Sequence, residues 1–136
     1  MAYWLLKSDP DTYSYLDLEK DKKTVWDGVS NPLALKHIRG MKKGDQAFVY
    51  HSGEEKAIIG IAEILSDPFV DPKRKDPRLA VMEIKAKERL ARPVTLAEIK
   101  GRKDFADFLL VRMSRLSVMP VTPPQWKTLL AMSHQG

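Results

Sequence analysis

Apolar residues along the chain gather in short runs separated by polar clusters, the spacing of strands and brief helices rather than of long helical stripes. Ala2 to Leu6 reads as a buried, aromatic-rich strand ended by Lys7-Ser8-Asp9-Pro10. Ser14 is placed to cap a short helix over Tyr15 to Glu19, and Thr24 to Trp26 is a brief strand before an Asp27-Gly28 turn. Asn31-Pro32 starts a helix that runs through Leu35 and Ile38 to a stop at Gly40. After the turn at Met41 to Asp45, Gln46 to His51 and Ala57 to Leu65 form two strands joined by a hairpin loop at Ser52 to Glu55. Gly60, inside the second of these, marks a bulge or a close backbone approach.

Asp67 to Arg78 holds three prolines and many charges and is expected to be an exposed loop. Leu79 to Leu90 is a long strand, Thr95-Leu96-Ala97-Glu98 a capping box opening a helix that ends near Gly101, and Phe105 to Leu110 a further helical turn. Ser117 to Val121 is a last short strand, and Thr122-Pro123-Pro124-Gln125 opens a helix reaching about Met132. Strands with short interspersed helices predict one α+β domain over residues 1–136, with a mixed, strongly curved sheet. The pattern alone does not distinguish an open sheet from a barrel.

Composition narrows the chemistry. With 136 residues and 43% hydrophobic content, the chain can bury a core without staples. The absence of cysteine excludes disulfides, thiolate metal sites and Cys nucleophiles, and suits the cytoplasm, the expected compartment. The N-terminus has neither a basic leader nor an apolar run long enough to span a membrane, so no membrane partner is expected. The net charge of +5 favours phosphate backbones, although ordinary solubility produces the same value.

Several residues could carry function. Trp26, beside a turn and a helix cap, is either a core ring or the stacking wall of a pocket; stacking a base on such a ring contributes roughly 1–3 kcal/mol. Lys7 and Ser8 are a strand-end cation and hydroxyl. Tyr50 is a rim-packing or stacking ring, and His51 and Ser52 are hydrogen-bonding groups at the end of the same strand. Histidine is a residue type suited to proton transfer, but no nucleophile elbow accompanies His51, and the three histidines lack metal-ligand spacing. Catalytic residues, cofactor and metal are therefore expected to be none. Arg112 and Arg115 could grip a phosphate or a base edge, or pair with surface carboxylates. Lys42, Lys43, Lys73 and Arg74, with Lys75, Arg78, Lys100, Arg102 and Lys103, are either backbone-tracking cations or solvated charge.

Four ordered segments together resemble the EVE domain, a branch of the PUA-like superfamily related to YTH readers of methylated RNA. They are Tyr3-Trp4-Leu5-Leu6-Lys7-Ser8-Asp9-Pro10, Val25 to Asn31, Tyr50-His51-Ser52, and Leu110 to Val118. The resemblance covers about Ala2 to Leu130. It implies a small closed, mixed β-barrel of about five to six strands flanked by short helices, with Trp26 lining a cavity for a flipped-out base. Lys7 and Ser8 would lie at its mouth, Asn31 beside it, and Arg112, Leu116 and Ser117 near or in its wall. The expected partner is a nucleic acid, DNA or RNA, carrying a methylated or hydroxymethylated pyrimidine or a methyladenine. The alternatives are a small-molecule or nucleotide-like ligand without polynucleotide, a hydrolase using Asp27, His51 and Ser52, and a partner-binding adaptor. The chain departs from the family pattern at Ser30 and near Leu35, where Arg is usual, and at Pro32, where Tyr is usual. It also departs at Met113-Ser114, where Gln-Gly is common, and at Leu79, where an aromatic often stands.

Overall fold

The computed structural model describes residues 1–134. Seven strands form one mixed sheet: β1 (Tyr3–Ser8), β2 (Lys23–Trp26), β3 (Gln46–His51), β4 (Ala57–Ile64), β5 (Phe69–Val70), β6 (Ala80–Thr95) and β7 (Val118–Val121). Their order is β2-β6-β4-β3-β1-β7, with β5 added to β6. Only the β1–β3 pair is parallel, with Lys7 opposite Tyr50 and Ser8 opposite His51. Five helices flank the sheet: α1 (Tyr15–Asp21), α2 (Pro32–Arg39), α3 (Leu96–Lys100), α4 (Leu109–Arg112) and α5 (Pro123–Ser133).

The helix starts obey local chemistry. Ser14 and Asp17, Thr95 and Glu98, and Thr122 and Gln125 form capping boxes at α1, α3 and α5. The Asn31 carboxamide oxygen accepts the N–H groups of Leu33 and Ala34 at the start of α2.

The expected α+β class and curved sheet are present, but the sheet does not close. β2 and β7 end the pairing path, and among the described residues no ladder joins them. Both are only four residues long, and β7 carries Pro120, which lacks a donor and blunts an edge. Other expectations are corrected too. The loop at 67–78 contributes β5, which pairs Phe69 with Val81. The long strand continues past Leu90 to Thr95, because register shifts let it bend while staying paired with β4. Between the Ile58–Val94 and Gly60–Arg89 pairs, β4 advances two residues while β6 uses five. The helical turn expected over Phe105 to Leu110 is split into a 3-10 turn at Lys103–Phe105 and α4.

Gly60 is both a bulge and a close approach. A Cβ there would lie 2.5 Å from Cζ of Tyr15, whose ring crosses the strand at this point. Tyr15 is fully buried, and its hydroxyl donates to the Ile61 carbonyl at 2.7 Å. Its amide, one of the helix-start donors with no intrahelical partner, donates to Nε2 of His51 at 2.9 Å.

A second knot ties β1 to the α2–β3 turn. The buried Asp45 carboxylate accepts the Ala2 and Lys42 amides and the Trp4 indole N–H, each at 3.0 Å. On the other side of the sheet, Trp126 of α5 stacks on Phe48 and Tyr3 with ring centroids 3.8 and 4.4 Å apart. Trp4 and Trp126 are thus core residues, as their strand and helix positions imply.

Two stability predictions follow from these contacts. Gly60→Ala forces the Tyr15 ring off the strand and breaks its bond to Ile61, at a cost of about 2–4 kcal/mol in urea unfolding. A loss under about 0.5 kcal/mol would mean that the ring relocates freely. Asp45→Asn keeps the shape but turns an amide toward a donor, costing about 1.5–3 kcal/mol; unchanged thermal melting would show that the three bonds contribute nothing net.

Candidate functional site

The opening between the unpaired ends of the sheet holds a cavity of about 450 Å³. One side is the end of β2 and the turn after it, Thr24 to Val29, where Gly28 takes a positive φ of 81°. The other side is the end of β1, Lys7 to Asp9, with Ser117 just before β7. Thr12 and Tyr13, which fold back from β1 toward α1, complete the wall.

Trp26 is 8% exposed, so its ring serves the core and the cavity wall at once. Tyr13 meets it edge-on, with centroids 6.3 Å apart and planes at 78°. Tyr13 is held in turn by its hydroxyl, which donates to Asp21 at 2.8 Å; burial, then Asp21, pushes its phenol up to about 12. Its carbonyl accepts the Ser8 hydroxyl, so that hydroxyl is already committed to the wall.

Lys7 remains the adaptable cation of the site. Its ammonium donates to the Ser114 carbonyl at 2.8 Å and sits 5.8 Å from the centroid of the buried Tyr50 ring. Partial burial lowers its pKa from the ordinary lysine value. Two carboxylates face the same cavity. Asp9 accepts the Asp11 amide at 2.9 Å, whereas Asp27 makes no hydrogen bond among the described residues.

The structure therefore brings Lys7, Ser8, Trp26 and Ser117 together around one cavity. Asn31, Tyr50, His51, Ser52, Arg112 and Leu116 do not line it. Asn31 caps α2, and Leu116 is core. Ser52 donates its amide to the Ser8 carbonyl at 2.9 Å. Arg112 reaches Asp107 at 3.5 Å. His51 accepts from the Tyr15 amide through Nε2 and contacts Glu55 through Nδ1 at 3.1 Å, a pattern that places the ring proton on Nδ1. Both nitrogens are used to hold α1.

The expected backbone cations are dispersed. The Lys42 amide serves Asp45, and the Lys43 amide donates to Asp67. The Lys73 amide donates to the buried Asp71, which also pairs with Arg74 at 2.7 Å. Arg74 additionally donates to the Val29 carbonyl at 3.3 Å, fastening the cavity wall. Arg115 forms no ion pair among the described residues. Sequence reasoning missed Asp9, Thr12 and Tyr13 as wall residues; the signal was Asp9-Pro10, a turn that sends the chain back across the strand end.

A second cavity, about 660 Å³, lies against α2 and the 76–79 segment. Ser30, Pro32, Leu35 and Leu79 line it, together with Arg39, Asp76, Pro77 and Arg78. Among the described residues no three His, Cys, Asp or Glu side chains converge on a metal position, and no helix is long and apolar enough to cross a membrane.

Comparison with known proteins agrees with this architecture. A solved structure of Rpa0253 from Rhodopseudomonas palustris is 41% identical, covers 98% of this chain and 93% of its own, and superposes with a TM-score of 0.93. A crystal structure of the human THYN1 protein in complex with 5-methylcytosine-containing DNA is 26% identical, covers 100% of this chain and 99% of its own, and gives a TM-score of 0.91. Among sequence relatives, the uncharacterized protein C21.03c of Schizosaccharomyces pombe is 32% identical over 98% of this chain and 69% of its own length. The EVE domain model matches residues 2–132. Sequence and fold thus agree over nearly the whole chain, which belongs to the EVE domain family.

Proposed function

We propose that this domain is a non-catalytic nucleic-acid-binding module that seats one modified base, 5-methylcytosine first among the candidates, in the cavity beside Trp26. The observation that carries the reading is the cavity itself: an indole in its wall and hydrogen-bonding groups at two strand ends. Its volume of about 450 Å³ falls in the usual small-ligand range of roughly 300–1,000 Å³. The complex of the human THYN1 protein with 5-methylcytosine-containing DNA supports the choice of partner.

The wall chemistry supports a cytosine edge. Asp27, with no partner among the described residues, is an acceptor for the exocyclic amine, and Lys7 is a donor for the ring carbonyl. Val25 and Val29 offer apolar contact to a methyl group. A buried methyl contributes about 1 kcal/mol, roughly a fivefold preference, against a base-extraction cost of a few kcal/mol.

A free nucleoside-sized ligand is the second reading. It is favoured by the lining charge, one ammonium against two carboxylates, which does not suit a phosphate inside the cavity. Of the groups considered for hydrolysis, only Asp27 lines the cavity, and both ring nitrogens of His51 are engaged elsewhere. The cytoplasm stays the expected compartment on composition alone, although vertebrate relatives bear the name thymocyte nuclear protein 1; cell fractionation decides.

The test is fluorescence polarisation with single- and double-stranded DNA and RNA carrying 5-methylcytosine, 5-hydroxymethylcytosine, methyladenine or no modification. A preference of about fivefold for the methylated DNA, abolished by Trp26→Ala, is expected. Equal binding of all probes by both proteins would sink the base-reading role. Asp27→Ala should lower affinity for the methylcytosine probe while leaving a thymine probe unchanged; parallel losses on both would remove Asp27 from base selection.

A further inference from the structure

The second cavity has no role in the reading above, yet it shares a wall with the first. Val29 lines the Trp26 cavity and the next residue, Ser30, lines the other. The two cavities therefore flank one continuous stretch of backbone, Val29-Ser30.

Their charges differ in sign. The Trp26 cavity presents Lys7 against Asp9 and Asp27, whereas the second presents Arg39 and Arg78 against Asp76. Arg78 is already neutralised: its Nε and Nη2 donate to the two Asp76 oxygens at 3.1 and 2.8 Å, and this contact holds the Asp76 carboxyl at about 2. Arg39 is not. Among the described residues its one hydrogen bond runs from Nη1 to the Arg78 carbonyl at 3.1 Å, which orients the guanidinium without cancelling its charge. The start of α2 cannot take an anion instead, because Asn31 occupies the amides of Leu33, Ala34 and Leu35 and Pro32 has none. Around Arg39, the sides of Pro32, Leu35 and Leu79 are apolar.

We propose that this second cavity is a subsite for the nucleotide adjoining the seated base, with its phosphate on Arg39 and its sugar and base against Pro32, Leu35 and Leu79. The inference rests on the base-seating reading. An arginine standing beside a carbonyl anchor, with donors to spare, is suited to a phosphate oxygen. The lining also divides the labour: the base enters where carboxylates accept its amine, and the phosphate stays where a cation is unbalanced.

The experiment measures affinity for a single-stranded oligonucleotide bearing one central 5-methylcytosine, and for its unmethylated twin, across a salt series. Arg39→Ala is expected to weaken both roughly three- to tenfold at low salt, and to reduce the slope of log K against log salt by about 0.7. The methyl preference is expected to survive. Lys127→Ala, which removes a charge of the same sign from α5, is the control and should leave the slope within error. A slope for Arg39→Ala equal to that of Lys127→Ala, with the preference still lost in Trp26→Ala, overturns the subsite alone. A methyl preference that is absent, or unaltered by Trp26→Ala, overturns the base-seating reading and the subsite with it. Arg39 is exposed and lies at the helix end, so circular dichroism of the variant should match that of the parent chain.

Discussion

The ring of Tyr15 lies where Gly60 has no side chain, and most of the site hangs from that contact. Over the bulged β4–β6 ladder the ring fills the space a Cβ would take, and the hydroxyl reaches the Ile61 carbonyl. His51 takes the Tyr15 amide, so β3 holds the first turn of α1 from the other side. With α1 anchored, the segment that enters it is anchored too. That segment carries Asp9, Thr12 and Tyr13 into the cavity wall, and Tyr13 presses its edge against Trp26. The position of the indole is therefore settled by a glycine on a different strand.

The cavity exists because the sheet curls without closing. β6 pairs with β2, β4 and β5 and absorbs its curvature in register shifts. This brings the end of β2 opposite the ends of β1 and β7 while leaving both outer edges unpaired. A closed ladder between β2 and β7 would consume the backbone groups that border the opening. Pro120 and the brevity of both strands work against such a ladder.

What was legible in the sequence was what depends on neighbours along the chain. Ser14, Asn31, Thr95 and Thr122 announce their helices because a cap is made within three residues. Gly60 was readable as a special backbone position, though not as the seat of Tyr15, which stands 45 residues earlier. Asp45 looked like a solvated turn residue after Lys42-Lys43-Gly44, and its three donors come from β1 and the turn itself. His51 invited a pocket role because His at a strand end is chemically versatile; its service to the Tyr15 amide appears only when α1 packs across β3. Around the cavity, Lys7, Ser8, Trp26 and Ser117 were readable from family-like segments, whereas Asp9, Thr12 and Tyr13 needed the fold to show which way the loop turns.

The residues where the sequence was read as unlike the EVE pattern gain meaning from their location. Ser30, Pro32 and Leu35 fall within one short stretch and Leu79 stands far later in the chain, yet all four line one cavity and form one surface. Beside these small and apolar residues stands the guanidinium of Arg39, one helical turn beyond Leu35 on α2. The Trp26 cavity has a separate set of groups, one indole, two carboxylates and a single ammonium. The segment from Asp27 to Pro32 thus borders both cavities, Asp27 to Val29 the one beside Trp26, and Ser30 and Pro32 the other.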